Sequence, residues 1–383
     1  MIDTAAIDEL VDWMIDGARP SASARQIIDG ICRRVVGAGV PVSRFALFIN
    51  TLHPNVVGRR FTWTPEDGVA MRDGNIGLFS RDEYVRNPLP TVTSKQVSIR
   101  RRLNKPETLE EYVILGELAA EGFTDYLAQP LVFTTGDTHA ATWSTKDPAG
   151  FSADAIEVFE RIRRPLARLV EAYLLRLNAA SILSAYVGHN SGDQILQGRV
   201  HRGDGEEIDA AILFADVIGF TALSNTRTGP EIVSLLNDAF DIMVPPVEAH
   251  GGEILKFLGD GFFAIFPYGD KVTLAGAVRA ASEAVIEGEQ KLAQAEVGKL
   301  VSFRSAIHAG RFHYGNIGGA NRLDFTAIGQ PVNYTARLLA AASGLSETRV
   351  ASASTAEHLY LKPRLAGEIV FKGFDGPQPV YAY

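Results

Sequence analysis

Two rhythms of apolar and polar positions run along this chain, one helical and one of strand type. Residues 6–36 carry apolar positions at helical spacing, broken at Arg19, Pro20 and Ser21. Residues 44–49 read as a buried strand and residues 108–122 as another helix. Residues 127–133 and 138–144 read as strands joined by the turn Thr134, Thr135, Gly136 and Asp137. Residues 152–197 look helical, with Ile162, Leu166, Leu169 and Tyr173 at spacings of four, three and four. Pro165 removes one backbone bond and should kink or restart that helix. The seam suits either pairing with a second copy or packing on its own domain.

A polar stretch, Arg202, Gly203, Asp204, Gly205 and Glu206, precedes a third part. There the pattern predicts a strand at 208–216, mainly helix at 222–250 and a hairpin at 253–266. A helix at 274–293 and a strand at 303–308 follow. The expected class is α+β, divided into a domain at 1–151, a helical linker at 152–205 and a second domain at 206–383.

Composition narrows the partners. A chain of 383 residues exceeds what one core organises, and 46% hydrophobic with 21% charged residues is ordinary globular usage. The net charge of -8 argues against nucleic acid as a partner, though not against a small anion. Cys32 is the single cysteine, which excludes a disulfide framework or cysteine-rich zinc site and reads as a small buried hydrophobe. The first ten residues are acidic and lack the order of a secretory signal, and no apolar run approaches the roughly 18–20 residues of a membrane span. A soluble, cytoplasmic protein is the expectation.

Three segments carry chemistry. Residues 210–221 run from an apolar strand through Asp216, Val217, Ile218, Gly219, Phe220 and Thr221 into a helix. Gly219 permits a tight turn, and the helix start presents N–H groups and a positive dipole end beside a carboxylate. A phosphate there would share a divalent metal with Asp216; alone, Asp216 reads equally as a helix cap. Next, two apolar strands flank Gly259, Asp260 and Gly261. Asp-Gly is a favoured turn pair, yet a second carboxylate would also complete a two-metal site with ions about 3.5–4 Å apart. Lys256, between Leu255 and Phe257, either snorkels to solvent or meets a ligand. Finally, Asn333 and Arg337 follow Gly329, Gln330 and Pro331 and share a helix face. They form either a solvated face or a cradle for phosphate and developing negative charge.

In this order and spacing the segments resemble the class III adenylate and guanylate cyclases. The likeness continues through His308, Ala309 and Gly310, through 315–319, and to 371–377 with Val380 and Tyr381. The resemblance implies a ferredoxin-like βαββαβ domain that makes cyclic AMP and pyrophosphate from ATP. It implies Asp216, Asp260 and Val217 at two Mg²⁺ or Mn²⁺ ions per site, and Ile218, Gly219, Phe220 and Thr221 at the substrate. Asn333 and Arg337 match the residues that orient the ribose and stabilise transition-state charge; Lys372 matches a contact to the terminal phosphates. Lys256 and Thr326 match the pair that reads the base.

Adenine offers an acceptor at N1 and a donor at N6, which a lysine and a hydroxyl can meet; guanine reverses both. Guanylate-forming relatives place an acid at the lysine position, so Lys256 points to ATP. Thr326 departs from the aspartate of many adenylate cyclases. In this family the metal ligands and the base-reading residues come from different chains, which implies a head-to-tail homodimer. Lys256 and Asp260 lie about 13 Å apart on an ideal strand and need not serve one nucleotide. A guanylate cyclase and a non-catalytic nucleotide sensor stand as alternatives. A diguanylate cyclase does not fit, because Ile254 and Leu255 follow Gly251, Gly252 and Glu253 where Glu-Phe is needed.

Residues 1–151 look like a GAF-type sensory domain. The signs are residues 122–126, the strand pair after them, and residues 148–152 opening a long helix. That likeness implies an unknown small-molecule or protein signal. Arg100, Arg101 and Arg102 read as a solvated run or an anion site; Trp63 and Trp143 read as core or pocket lining.

Overall fold

Asp3 and Ser23 accept the backbone N–H groups of Ala6 and Gln26 and so open the first two helices. The computed structural model describes residues 1–21, 23–52, 56–75, 86–319 and 322–383. It divides into two units, Met1–Ala185 and Tyr186–Tyr383.

The first unit runs α1 (Thr4–Ile15), α2 (Ala24–Gly37), β1 (Arg44–Asn50), β2 (Val56–Thr64) and β3 (Gly68–Asn75). Then come α3 (Leu89–Lys95), β4 (Ile99–Arg102), α4 (Pro106–Leu109), α5 (Val113–Ala120), β5 (Asp125–Val132), β6 (Thr138–Thr145) and α6 (Ala153–Val187), whose last two residues fall to the second unit. Its six strands form an antiparallel sheet in the order β3-β2-β1-β6-β5-β4. Trp143 stacks on Phe159 at 4.6 Å and donates to Gln129, while Trp63 donates to Asp29 at 2.8 Å. Both indoles are core. Cys32 is fully buried, and burial pushes its thiol well above the usual range. Arg100 and Arg102 pair with Asp125, and Arg101 with Glu111, so this run is tied into the unit.

Two expectations change. The helix at 108–122 is broken between α4 and α5, where Glu111 is drawn onto Arg101 of β4. α6 runs through Pro165 without interruption, because Ile162 and Leu166 on either side are locked in the core. Leu169 and Tyr173, partly buried, pack on that same core, one of the two roles open to the seam.

The second unit runs α7 (His189–Leu196), β7 (Gly205–Val217), α8 (Phe220–Ser224), α9 (Gly229–Ala249), β8 (Glu253–Phe257), β9 (Gly261–Pro267) and α10 (Leu274–Gln294). It closes with β10 (Phe303–Gly318), β11 (Leu323–Ile328), α11 (Gln330–Gly344), β12 (Arg349–Ser352), α12 (Ala353–Ala356), β13 (Arg364–Val370) and β14 (Pro377–Ala382). Neighbouring strands follow β13-β14-β12-β10-β7-β9-β8, with β11 paired to β10. Within it, β7-α9-β8-β9-α10-β10 is a βαββαβ unit with antiparallel neighbours β10-β7-β9-β8.

Strand alternation sets which side chains face what. Ala211, Leu213, Ala215 and Val217 of β7 pack with Leu235, Ala239 and Met243 of α9 and with Val278, Ala281 and Val285 of α10. Ala210 and Ile212 point to the other face, into a cluster with Leu255, Phe263, Phe325 and Ala327. Among the described residues, no helix is long and apolar enough to cross a membrane.

Candidate active site

The same alternation puts Asp216 on the sheet face away from α9 and α10. Its Cα partner on β9 is Gly261, and the Val217 N–H donates to the Asp260 carbonyl at 3.2 Å. A Cβ at Gly261 would sit 2.2 Å from the Ala215 carbonyl oxygen, so only glycine lets this turn lie against the end of β7. Asp260 is thereby brought beside Asp216. Burial raises the Asp216 carboxyl above its ordinary value, Arg304 opposes that shift, and the charge of Asp260 adds to it. Asp216 Oδ1 is buried with no hydrogen-bond partner.

Gly219 takes a left-handed conformation (φ 72°) at the start of α8. The Ile218 N–H is committed to the Ser302 carbonyl at 2.9 Å. Among the described residues, no hydrogen bond is made by the N–H groups of Gly219, Phe220 or Thr221. These three amides are the donors left beside Asp216.

Arg304 of β10 was not among the sequence candidates. It is the Cα partner of Asp216, its Nη1 lies 4.0 Å from Asp216 Oδ1, and its Nε is buried without a partner. The sequence did hold a signal, since a cation interrupts the apolar strand of Phe303, Ala306 and Ile307.

Among the described residues, Lys256 makes its ion pair with Asp324 and none with these acids. A bulge in β8 makes Ile254 oppose Ala264 and Lys256 oppose Phe263, with Leu255 extra. Lys256 therefore shares the face of Leu255 and Phe263, over which β11 contributes Phe325 and Ala327. There its ammonium pairs with the Asp324 carboxylate of β11. Thr326 follows two residues later, half-buried, on the same side of the strand as Asp324.

Asn333 and Arg337 stand on α11, Asn333 exposed and Arg337 half-buried. Arg337 lies over the Phe374 ring at 5.4 Å, and its Nη1 is buried, unpartnered and against Gly373. The exposed Lys372 belongs to that same loop. Among the described residues, no hydrogen bond or ion pair joins Asp216 or Asp260 to Lys256, Thr326, Asn333, Arg337 or Lys372.

Among the described residues no three acidic, histidine or cysteine side chains gather as a metal cage. Two carboxylates with an orphaned oxygen nevertheless suit a hard cation such as Mg²⁺, which takes one or two carboxylates and completes its shell from substrate phosphates.

Residues 205–379 match the family described as adenylate and guanylate cyclase catalytic domain. The chain is 30% identical over 232 residues to the uncharacterized protein Rv1320c of Mycobacterium tuberculosis, covering 58% of this chain and 39% of that protein. It is 31% identical over 206 residues to Rv1319c of the same organism, covering 53% and 37%. The chain thus spans 37–39% of the length of these relatives. Among solved structures it is similar to the adenylyl cyclase CyaB from P. aeruginosa, at 26% identity, 46% of this chain, 94% of that chain and a TM-score of 0.42. It is also similar to the guanylyl cyclase Cya2, at 26% identity, 46% and 92% coverage and a TM-score of 0.40.

Proposed function

Residues 205–379 form a class III adenylate/guanylate cyclase catalytic domain, and from that premise we propose that the chain is an adenylate cyclase converting ATP to 3′,5′-cyclic AMP and pyrophosphate. The observation that carries this reading is the acid pair Asp216 and Asp260, with an unsatisfied buried oxygen beside three free backbone amides.

Two Mg²⁺ or Mn²⁺ ions held by Asp216, Asp260 and the backbone at Val217 would supply a more acidic ribose 3′-hydroxyl and positive charge over the triphosphate. The chain's own groups do the rest. Gly219, Phe220 and Thr221 offer N–H donors to phosphate oxygens, and Ile218 holds that turn in place through Ser302. Arg304 balances the acids and any phosphate brought next to them. Arg337, with Nη1 free, stabilises charge developing at the α-phosphate, Asn333 orients the ribose, and Lys372 meets the terminal phosphates. Lys256 donates to adenine N1, and the Thr326 hydroxyl accepts from the N6 amine.

A head-to-tail homodimer belongs to the proposal. It is supported by the lack, among the described residues, of any hydrogen bond or ion pair between the acids and Lys256 or Arg337. Phe257 and Leu258, at the hairpin tip between Lys256 and Asp260, are 52% and 44% exposed and suit burial against a second copy. The six-stranded sheet of the first unit supports a GAF-like regulatory role for it, answering a small-molecule or protein signal.

The test is turnover of ATP and GTP by the purified chain with Mg²⁺ or Mn²⁺. Cyclic AMP from ATP, lost in Asp216→Ala, is expected. Cyclic GMP as the sole product would assign the enzyme to the guanylate branch, and nucleotide binding without product would make it a sensor.

A further inference from the structure

Several arginines of the first unit have an acid: Arg59 pairs with Asp73, Arg100 with Asp125 and Arg101 with Glu111. Arg44 of β1 and Arg60 of β2 have none, and neither makes a hydrogen bond among the described residues. Both are half-buried. Burial lowers each guanidinium from its ordinary value; the charge of Arg60 adds to that at Arg44, and the charge of Arg72 adds to it at Arg60. Glu117 of α5 and Glu121 just after it counter the shift at Arg44, but neither comes within ion-pair distance.

Strand register puts the two arginines on one face. Arg44 is the Cα partner of Ser144 on β6, Ala46 of Thr142, and Phe48 of Arg60. Positions 44, 46 and 48 point away from Phe45, Leu47 and Ile49, which pack into the core with α1, α2 and α6. On that other face the floor is built from short side chains, Ala46, Thr142 and Ser144. Thr142 and Ser144 are 1% and 0% exposed, and the hydroxyl of each is buried with no hydrogen-bond partner. Buried hydroxyls left unpaired and half-buried cations left without acids all cost stability. One group repays both costs, because an oxyanion accepts from hydroxyls and from the guanidinium fork.

We infer that this face of β1, β2 and β6 binds a small anion bearing a carboxylate or phosphate group, held between Arg44 and Arg60 and hydrogen-bonded by Thr142 and Ser144. Such a ligand gives the regulatory role proposed for the first unit a chemical class. Its residues all belong to that unit, so the site stands apart from the nucleotide reading of the second.

The test uses the full chain as wild type, Arg44→Met, Arg60→Met, the double variant Thr142→Val with Ser144→Ala, and Arg25→Met as an exposed control on α2. Each is titrated by calorimetry with inorganic phosphate and with succinate, without divalent metal and against chloride at equal ionic strength. Melting temperatures are recorded in parallel. At least one of the two anions should bind the wild type and raise its melting temperature above the chloride control. Arg44→Met and Arg60→Met should each weaken that Kd at least about tenfold, the loss of one charge-assisted contact, and Arg25→Met should leave it unchanged. The hydroxyl variant should bind several-fold more weakly yet melt no lower than the wild type in chloride, because the groups it removes are unpaired there. A wild type that binds neither anion overturns the site, as does binding that survives both arginine substitutions. A hydroxyl variant that melts lower in chloride and binds as the wild type would make Thr142 and Ser144 structural and overturn it too. Binding is read without turnover, so none of these outcomes depends on which nucleotide the second unit uses.

Discussion

Asp125 in the first unit and Asp216 in the second are both acids on sheet strands, and their surroundings are opposite. Asp125 is fully buried and receives Arg100, Arg102 and the Phe151 N–H at 2.9 Å. Glu171, also buried in the first unit, accepts the Thr134 N–H at 2.9 Å and pairs with Arg168 at 2.8 Å. In the second unit Asp216 Oδ1, Arg304 Nε and Arg337 Nη1 are buried with no hydrogen-bond partner. A buried polar atom without a partner costs stability. The buried charges of Asp125 and Glu171 are satisfied within the first unit, whereas Asp216, Arg304 and Arg337 each keep a buried polar atom without a hydrogen bond, as the proposed ligand site requires.

The largest effect that would break this contrast is on turnover. Asp216→Ala should lower kcat more than ~100-fold. Its melting temperature should hold or rise, because burial already disfavours the ionised carboxylate being removed. Retained activity would remove the acid corner from the mechanism. Arg337→Ala should lower kcat on the order of 100-fold with little change in KM, as for a donor engaged mainly in the transition state. A rise in KM alone would make Arg337 a ground-state contact.

The first unit should answer in the other currency. Asp125→Ala should destabilise it by about 2–3 kcal/mol, read from urea unfolding, because it strips a buried acceptor from two guanidinium groups and an amide. A wild-type unfolding curve would show that the Asp125 network fastens nothing.

The smallest effect is a pH slope. His308 of β10 sits 2.8 Å from the Ser352 hydroxyl, and burial holds its imidazole at about 4 rather than 6.5. Between those values the unfolded chain binds the proton and the folded chain does not, so stability falls as pH drops from 6.5 toward about 4. His308→Gln should flatten that decline, a matter of a few degrees in melting temperature. Parallel curves for the two proteins would exclude His308 as its source.

Much of this was legible in the residues. β7, the β8–β9 hairpin and α10 are apolar runs with clear periods and turn residues, and local pattern suffices for such elements. The candidate side chains stood out as polar interruptions of those runs. By contrast, β2 and β3 carry Arg59, Arg60, Arg72 and Asp73 among their residues, which mutes the apolar–polar alternation typical of a strand. Pro165 suggested a break that tertiary packing overrides.

The sequence by itself determined the run of elements from β7 to β10, the acid pair at a strand end and turn, and the amide–guanidinium helix face. Each of those depends on neighbours within a few residues. Only the tertiary structure decided that Arg304 stands opposite Asp216 and that Lys256 reaches Asp324, 68 positions away. Strand register and a one-residue bulge set those meetings, and register follows from packing across the whole sheet.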